Sequence, residues 1–336
     1  MVLYDPRSHI TLRDYGILIP VAPDRSARVM EELEKRFVGI DPVRWKVAPG
    51  TSVVDQADLL RAHSDGYVKR LFSDQRERVM LEAFELIDEH GRPYRYDPGS
   101  AKRPLVDLFD VFLRWTARTH QAGVEALRAG PHFCYHLGGG AHHGHFDFGH
   151  GFCVINDIVI AARKLQAEGA VKTIWVIDID AHKGDGTAAL TAGDESVITL
   201  SIHMAAGWPL DLPHTRADGS PQPAYTPSTI DIPIQDDESP HYLMRLEEGL
   251  AALARYPRPD LAYVVGGVDP YEHDELPSTE GLQLSLQQLV DRDRMVFDFL
   301  ANLAIPQAWL MAGGYGERAW EPYVPFLEYA IKRNVR

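Results

Sequence analysis

The sequence predicts an α/β fold: a mostly parallel β-sheet covered by helices on both faces, in a single domain of residues 1–336. Three observations support this prediction. Short apolar runs alternate with longer amphipathic segments along the chain. The short runs are apolar at successive positions, as in strands that are buried on both faces. The sequence shows no internal repeat, low-complexity segment or long linker that would separate domains.

The longer segments are predicted to be helices because their apolar residues recur with helical periodicity. In chain order, these helices are Asp24–Phe37, Asp107–Leu127, Asn156–Glu168, Pro240–Arg255 and Leu284–Leu303. The short apolar runs are predicted to be strands because they are too short for buried helices. In chain order, these strands are His132–Tyr135, Thr173–Ile177, Val197–Ile202, Leu261–Val265 and Ala308–Met311.

The composition limits the class of protein. With 34 basic and 48 acidic residues the net charge is −14, which argues against non-specific nucleic-acid binding. An acidic surface suits a cationic substrate, but it serves solubility equally well. No signal peptide or transmembrane segment is evident, so we expect no membrane partner and a cytoplasmic, bacterial location. Cys134 and Cys153 lie in apolar segments and are expected to be core residues.

Four predicted strands lead directly into glycine-rich or polar segments. These segments are His136–His143, Asp178–Gly186, Gly266–Pro270 and Ala312–Gly316. Open parallel sheets bind ligands in the crevice beyond the carboxyl ends of their strands. The four segments therefore predict one shared site at that edge of the sheet.

The segment Trp175–Gly186 begins as an apolar strand and ends in side chains that bind metals. In an extended chain, residues two apart point the same way, so Asp178, Asp180 and His182 share one side. Like charges this close repel one another, and burying them without compensation is costly. A divalent cation would remove both penalties. The alternative is a polar strand end with solvated carboxylates.

Asp180 and His182 are the first two candidate metal ligands, and Asp269, after a separate strand, is the third. A catalytic zinc ion takes three protein ligands and keeps one position for water and substrate. Two carboxylates and one imidazole also suit iron(II). Taken alone, Asp269 could instead begin a turn, because it precedes Pro270.

His142 and His143 follow three glycines, and Asp178 and Asp185 are available to hold them. A carboxylate that accepts a proton from one ring nitrogen fixes the tautomer and raises the basicity of the other nitrogen. Such a histidine could activate water as a general base and later protonate a leaving amine. Paired histidines also occur in loops without function. We expect the remaining histidines to be structural, including His145, His150 and His203.

Tyr315 lies between glycines in the segment Gly313–Gly316 and has no large neighbours. Its hydroxyl could donate to an oxyanion that forms at a carbonyl while a metal ion polarises the same oxygen. The alternative is a core tyrosine flanked by glycines that allow close packing.

Together these motifs resemble the zinc-dependent histone deacetylase family, which has the arginase–deacetylase fold. The resemblance extends in order over about Leu3 to Tyr323. The matching segments are His63–Tyr67, Gly138–His143, Gly151–Asp157, Asp178–Gly186, Gly266–Asp269 and Gly313–Gly316. The resemblance implies hydrolysis of an N-acyl-lysine amide, with an acylated lysine in a peptide or protein as substrate.

The resemblance assigns catalytic roles to the histidine pair and the tyrosine. His143 would be the general base and acid, steadied by Asp185. His142 would be its electrostatic partner, steadied by Asp178. Tyr315 would stabilise the tetrahedral oxyanion.

The resemblance also implies two metal sites. Asp180, His182 and Asp269 would bind zinc. A structural potassium ion would be bound by the side chains of Asp178 and Ser201 and by the backbone carbonyls of Asp180, His182 and Ile202.

The substrate channel is the third feature that the resemblance implies. Phe152 and Trp208 would form the walls of a narrow acyl-lysine tunnel, and Gly151 would offer its carbonyl to the substrate amide. Leu276 aligns with the gatekeeper position on the loop after Asp269.

The sequence departs from the family pattern at Lys183, where a second histidine is common, at Trp208, where phenylalanine is common, and in Gly144–His150. These departures concern tunnel width and acyl preference. Three alternatives remain open: an acetylpolyamine amidohydrolase, a non-catalytic acyl-lysine binding protein, and a binuclear manganese hydrolase of the arginase kind. The first would need an acidic gatekeeper, and Glu275 lies one residue from Leu276. The third needs more bridging ligands than the sequence offers.

Overall fold

The computed structural model describes residues 1–88, 90–128, 132–216 and 218–334. Within these residues the chain forms one sheet of eight strands in the order β2-β1-β3-β8-β7-β4-β5-β6, and every pair of neighbours is parallel. The strands are β1 (Val2–Leu3), β2 (Lys46–Val47), β3 (Phe133–His136), β4 (Ile174–Asp178), β5 (Val197–Met204), β6 (Ile230–Ile234), β7 (Leu261–Val265) and β8 (Gln307–Leu310). The predicted α/β fold is confirmed.

Helices occupy the predicted segments and several others. They are α1 (Arg25–Arg36), α2 (Gln56–Leu59), α3 (Asp65–Leu71), α4 (Arg76–Ala83), α5 (Leu108–Leu127), α6 (Asp157–Ala167), α7 (Asp185–Thr191), α8 (Tyr242–Leu253), α9 (Leu286–Asn302) and α10 (Tyr323–Asn334). Each helix in the described part of the chain is too short or too polar to cross a membrane.

Strand β4 illustrates why the sheet is covered on both faces. Ile174 and Val176 pack into one apolar cluster with residues of α5 and α6. Trp175 and Ile177 point the other way, into a larger cluster with residues of α1, α8, α9 and α10. The two-residue period of a strand thus places apolar side chains on both faces, as the continuous apolar runs predicted.

A further apolar cluster joins the N-terminal region to the helix that begins after the Gly151 segment. It includes Ile17, Leu71, Phe109 and Phe112, together with Val159 and Ile160 of α6. The two cysteines are buried and unpaired, as predicted. This packing holds the loops that rise from the carboxyl edge of the sheet.

Candidate metal and catalytic site

The site is built where the central strands end. Strands β3, β8, β7 and β4 are consecutive neighbours, and all run in the same direction. Their carboxyl ends therefore lie side by side, and the four polar segments predicted from the sequence follow them. The structure thus brings together loops that are distant in the chain.

The segment after β4 is shaped by its own side chains. Asp178 Oδ1 accepts the N–H of Asp180 at 3.2 Å, and Asp180 Oδ1 accepts the N–H of His182 at 3.1 Å. These turns continue the two-residue alternation after the strand has ended. Ile179 and Ala181 point into the apolar cluster on the opposite side. The three polar side chains consequently remain on one side of the segment.

Asp180, His182 and Asp269 converge in a buried cluster in which their potential ligand atoms all lie within 4.8 Å of one another. Nδ1 of His182 is 3.0 Å from Oδ2 of Asp269 and 3.4 Å from Oδ1 of Asp180. Burial and the charge of Asp180 raise the pKa of Asp269 to about 6. A divalent cation would relieve this repulsion, and two carboxylates with one imidazole form a donor set that zinc and iron(II) accept.

Two glycines leave the space that the Asp180 carboxylate fills. A Cβ at Gly267 would overlap Oδ2 of Asp180 and lie 2.7 Å from its Cγ. A Cβ at Gly313 would lie 2.5 Å from the same Oδ2 and 2.9 Å from Cγ of Asp269. The N–H of Gly313 also donates to Oδ2 of Asp180 at 3.1 Å. The glycine-rich strand ends therefore fix the carboxylate between two backbones.

Each member of the histidine pair has its own carboxylate. Nδ1 of His142 is 2.7 Å from Oδ2 of Asp178, and Nδ1 of His143 is 2.6 Å from Oδ1 of Asp185. All four side chains are buried. Because Nδ1 faces a carboxylate in both rings, Nε2 is left to act on a ligand.

The two histidines are driven towards opposite charge states. Burial lowers the pKa of His142, but the carboxylates of Asp178 and Asp180 outweigh it and raise this pKa to about 9. Burial and the neighbouring charge of His142 hold the pKa of His143 well below 6.5. A neutral His143 beside a cationic His142 is an arrangement in which His143 can accept a proton.

Buried polar groups hold the loops on which these side chains lie. The carboxylate of Asp157 accepts the N–H of Gly140 at 3.1 Å and of Ala141 at 2.7 Å, and it also accepts a short hydrogen bond from Thr119. On the other side, Nη1 of Arg292 donates to the carbonyl of Ile179 at 2.8 Å. These contacts satisfy backbone groups that burial removes from water.

Tyr315 lies on the wall of the same cavity as the histidine pair. Burial raises its pKa well above 10, so its phenol keeps its proton. Its backbone N–H donates to Oδ2 of Asp274 at 2.7 Å. Asp274, which sequence reasoning missed, also accepts from the N–H of Leu276 at 2.9 Å and from the hydroxyl of Thr279 at 3.2 Å. It therefore ties the tyrosine loop to the loop after Asp269.

A cavity of about 140 Å³ is lined by the histidine pair, Asp180, His182 and Tyr315. Gly151 and Phe152 also line it, and the Phe152 ring lies 6.1 Å from that of Tyr315. Trp208 packs edge-on against His143, with ring centroids 4.5 Å apart. The residues predicted to form the tunnel walls are thus adjacent to the histidine pair or the tyrosine.

The predicted gatekeeper and its acidic neighbour have different surroundings. Leu276 is buried, whereas Glu275 is exposed. The Glu275 carboxylate accepts the N–H of Glu317 at 3.1 Å, so it is engaged with the backbone of the tyrosine loop. The Glu275 carboxylate thus has a structural role that is independent of substrate binding.

The residues predicted to bind potassium lie on neighbouring strands. Asp178 of β4 and Ser201 of β5 are register partners, so their side chains lie on the same face of the sheet. The hydroxyl of Ser201 lies 3.0 Å from Nδ1 of His203. It also accepts a hydrogen bond from the N–H of Gly184 at 3.4 Å. Carboxylate, hydroxyl and backbone carbonyl oxygens are suitable donors for a hard cation.

Three side chains differ from the sequence interpretation or extend it. We expected His145 and His150 to be structural, because the sequence indicated no carboxylate partner for them. In the structure, Nε2 of His145 and Nε2 of His150 lie 3.0 Å and 2.9 Å from Oδ2 of Asp185. The carboxylate partner was missed because the loop 144–150 folds back onto α7, and the structural role stays a prediction. Lys183, at a position where histidine is common, is buried and lies 3.5 Å from Asp231.

A family model for the histone deacetylase domain matches residues 19–325. The chain is similar to Histone deacetylase 2 of Arabidopsis thaliana, with 27% identity over 258 residues, 77% of this chain and 60% of that protein. It is also similar to the acetoin utilization protein AcuC of Staphylococcus aureus, with 30% identity over 186 residues, 55% of this chain and 46% of that protein. The matches thus span about half the length of these relatives.

A solved structure of an HDAC homolog from Aquifex aeolicus has the same fold. Its TM-score is 0.65 at 19% sequence identity, and the alignment covers 98% of this chain and 82% of that one. At this level of identity the likeness concerns the fold alone.

Proposed function

This chain belongs to the histone deacetylase family, and on that premise we propose that it is a metal-dependent amidohydrolase that removes acyl groups from N-acyl-lysine. The observation that carries the proposal is the convergence of three metal-type ligands, two carboxylate-paired histidines and a protonated tyrosine around one cavity. We further propose that residues 1–336 act as one catalytic domain. Membership of this family supports deacetylase chemistry.

Asp180, His182 and Asp269 would hold a zinc or iron(II) ion, and a potassium ion would bind at Asp178 and Ser201. The zinc or iron(II) ion would polarise the substrate carbonyl and lower the pKa of water at the site. The protein residues then supply proton transfer, orientation and charge stabilisation.

His143 accepts the proton of the attacking water on Nε2 while its Nδ1 donates to Asp185. The same proton is then available to the leaving lysine amine. His142, whose Nδ1 lies 2.7 Å from the Asp178 carboxylate, would in its cationic form oppose the negative charge that develops on the substrate. The Tyr315 phenol donates to the carbonyl oxygen as it becomes an oxyanion.

The substrate is expected to enter beside Phe152 and Trp208, with the carbonyl of Gly151 accepting from the substrate amide. Leu276, rather than a carboxylate, stands at the predicted gatekeeper position, and Glu275 is already bound to the backbone of Glu317. An apolar gatekeeper favours the lysine side chain of a peptide over the second cationic group of an acetylpolyamine. Relative rates on acetyl-lysine peptides and acetylputrescine test this choice.

Tyr315→Phe tests the proposed chemistry with one atom removed. We expect turnover of an acetyl-lysine peptide by the zinc-loaded enzyme to fall roughly 10²–10³-fold, because one oxyanion donor is lost. Zinc content should be unchanged, since Tyr315 is not a ligand in the proposal. The control is Tyr256→Phe, which removes a hydroxyl group from an exposed tyrosine just after α8.

Equal turnover by Tyr315→Phe and wild type would remove this residue from the mechanism. If zinc- and iron-loaded wild type bound acyl-lysine peptides without hydrolysing them, the chain would be a binding protein and the proposal would be wrong.

A further inference from the structure

Three buried side chains outside the proposed zinc site meet at nearly equal distances. Nε2 of His145 lies 3.0 Å from Oδ2 of Asp185, and Nε2 of His150 lies 2.9 Å from the same oxygen. The two Nε2 atoms are 3.1 Å apart. The three atoms therefore form an almost equilateral triangle. Asp185 uses its other oxygen, Oδ1, to accept from His143.

Protons cannot satisfy all three sides of this triangle. A carboxylate oxygen only accepts, so each contact with Oδ2 requires a proton on the histidine nitrogen. The two Nε2–H groups would then face each other as donors at 3.1 Å. If His150 instead offered a bare Nε2 to His145, its lone pair would face the carboxylate oxygen. While Asp185 is ionised, one of the three contacts is unfavourable in each arrangement of the two imidazole protons.

A single cation satisfies all three contacts, since each atom can present a lone pair to it. Metal–nitrogen and metal–oxygen bonds of about 2.1 Å at right angles place neighbouring ligand atoms about 3.0 Å apart. Two histidines and one carboxylate on one face of a metal form a common transition-metal site with open positions. A ring nitrogen of His143 also lies within 4.8 Å of ligand atoms of His150 and Asp185.

We propose that His145, His150 and Asp185 form a second site, which binds a first-row divalent transition metal ion and is separate from Asp180, His182 and Asp269. This inference goes beyond the proposed hydrolysis and does not depend on it. The two sites differ in every ligand, so either can be removed while the other is retained.

The loop that carries the two histidines is held in place by its own contacts. The His145 N–H donates to the carbonyl of Phe148 at 2.9 Å, and the two rings stack with centroids 4.5 Å apart. The His145 carbonyl accepts from Nδ1 of His63 at 2.7 Å, because Nε2 of His63 is occupied by the N–H of Asn156. The triangle is therefore supported from both sides and does not depend on a free loop tip.

His145 and His150 should not contribute equally to the affinity for the metal ion. A metal on Nε2 requires the ring proton on Nδ1, and Nδ1 of His145 is buried without a hydrogen-bond partner among the described residues. Metal-bound histidines usually donate this proton to a partner. We therefore expect His150 to be the stronger ligand and His145 the weaker one.

The test is a titration of the metal-free chain, residues 1–336, with Co²⁺, monitored by calorimetry and by visible absorption. Wild type should show two binding events. His150→Gln should weaken one event at least tenfold and leave the other, and His145→Gln should weaken the same event less. Asp269→Asn should remove the event that His150→Gln retains. The matched control is His120→Gln, which removes an imidazole paired with Glu168 at 2.8 Å elsewhere on the protein.

The second site would be overturned if His145→Gln and His150→Gln left every Co²⁺ binding event of the wild type unchanged, whether there is one event or two. If Asp269→Asn alters neither event, the proposed zinc site fails while the second site stands on the His150 result. Crystals of wild type soaked in Co²⁺ give a measurement that no folding defect can affect. An anomalous peak within bonding distance of the three atoms supports the site, and its absence there overturns it.

Discussion

Replacing Gly267 with alanine should damage the proposed zinc site through one methyl group. The new Cβ would overlap Oδ2 of Asp180 and lie 2.7 Å from its Cγ. Carbon atoms in contact prefer a separation of about 3.5 Å or more, so the carboxylate has to move by about 1 Å. Gly313 closes the opposite side, since its hydrogen-bonding N–H is 3.1 Å from the same oxygen. The Asp180 carboxylate therefore cannot move away from the new methyl group and still keep its orientation.

The size of the effect follows from that displacement. A misplacement of about 1 Å in a catalytic group can reduce the rate about 10²-fold. Disturbing the orientation of a metal ligand typically reduces metal affinity or activity by about 10- to 100-fold. We therefore expect Gly267→Ala to lower kcat/KM by about 100-fold and zinc affinity by at least about tenfold.

Gly266→Ala is the matched control for this prediction. It adds the same methyl group to the preceding residue of the same turn, where the nearest atoms are the Tyr135 hydroxyl at 3.1 Å and the Leu310 carbonyl at 3.2 Å. Neither belongs to the proposed site, so only a small local adjustment is required. Zinc affinity, peptide deacetylation and thermal unfolding should be measured for both variants. Wild-type zinc affinity in Gly267→Ala, or an equal loss in Gly266→Ala, would refute the reasoning.

Two further predictions concern stability. Asp157→Ala should lower the free energy of unfolding, measured by urea titration, by about 3 kcal/mol or more, because two buried N–H groups and one hydroxyl lose their acceptor. The control Thr119→Val replaces only the hydroxyl and should lower the free energy of unfolding clearly less. Burial raises the pKa of Asp58, but Lys164, 2.9 Å from both of its oxygens, lowers it below 3.8 overall. A lowered native pKa stabilises the protein above the unfolded pKa, and this gain disappears as pH falls through the native pKa. Asp58→Asn should therefore cost up to about 1 kcal/mol near neutral pH, and equal unfolding free energies of the variant and wild type at pH 7 would contradict this ion-pair effect.

The central sheet could be predicted because its strands are buried on both faces and therefore leave continuous apolar runs. The edge strands left no such pattern. Strands β1 and β2 have two residues each, too few to show any period. Strand β6 contains Pro233, which interrupts a strand pattern and is tolerated at the edge of a sheet. Helix α10 was missed for a similar reason, because Pro325 lies in its first turn.

The site could be predicted in part because its motifs are local and its strand ends are adjacent. The contacts that the sequence did not reveal join segments whose approach depends on loop conformation. His145 meets Asp185 across 40 residues, and Asp274 meets the N–H of Tyr315 across 41. Neither pair has a spacing that signals contact. The carboxylates of Asp185 and Asp274 each have a partner that no sequence motif indicated.

The alternation of Asp178, Asp180 and His182 was predicted correctly for a reason that was only partly right. The strand was predicted to end at Ile177, with an extended chain continuing through His182, and in the structure it ends at Asp178. Beyond it, each carboxylate accepts the N–H two residues later, and this repeats the two-residue spacing without a neighbouring strand. A carboxylate that makes such a turn presents one oxygen to its own backbone and turns the other outward. In Asp178 that outward oxygen, Oδ2, faces His142, and in Asp180 it lies between Gly267 and Gly313. The aspartates thus shape the backbone with the same side chains that serve the proposed chemistry, so replacing either should disturb the geometry of the segment as well as its charge.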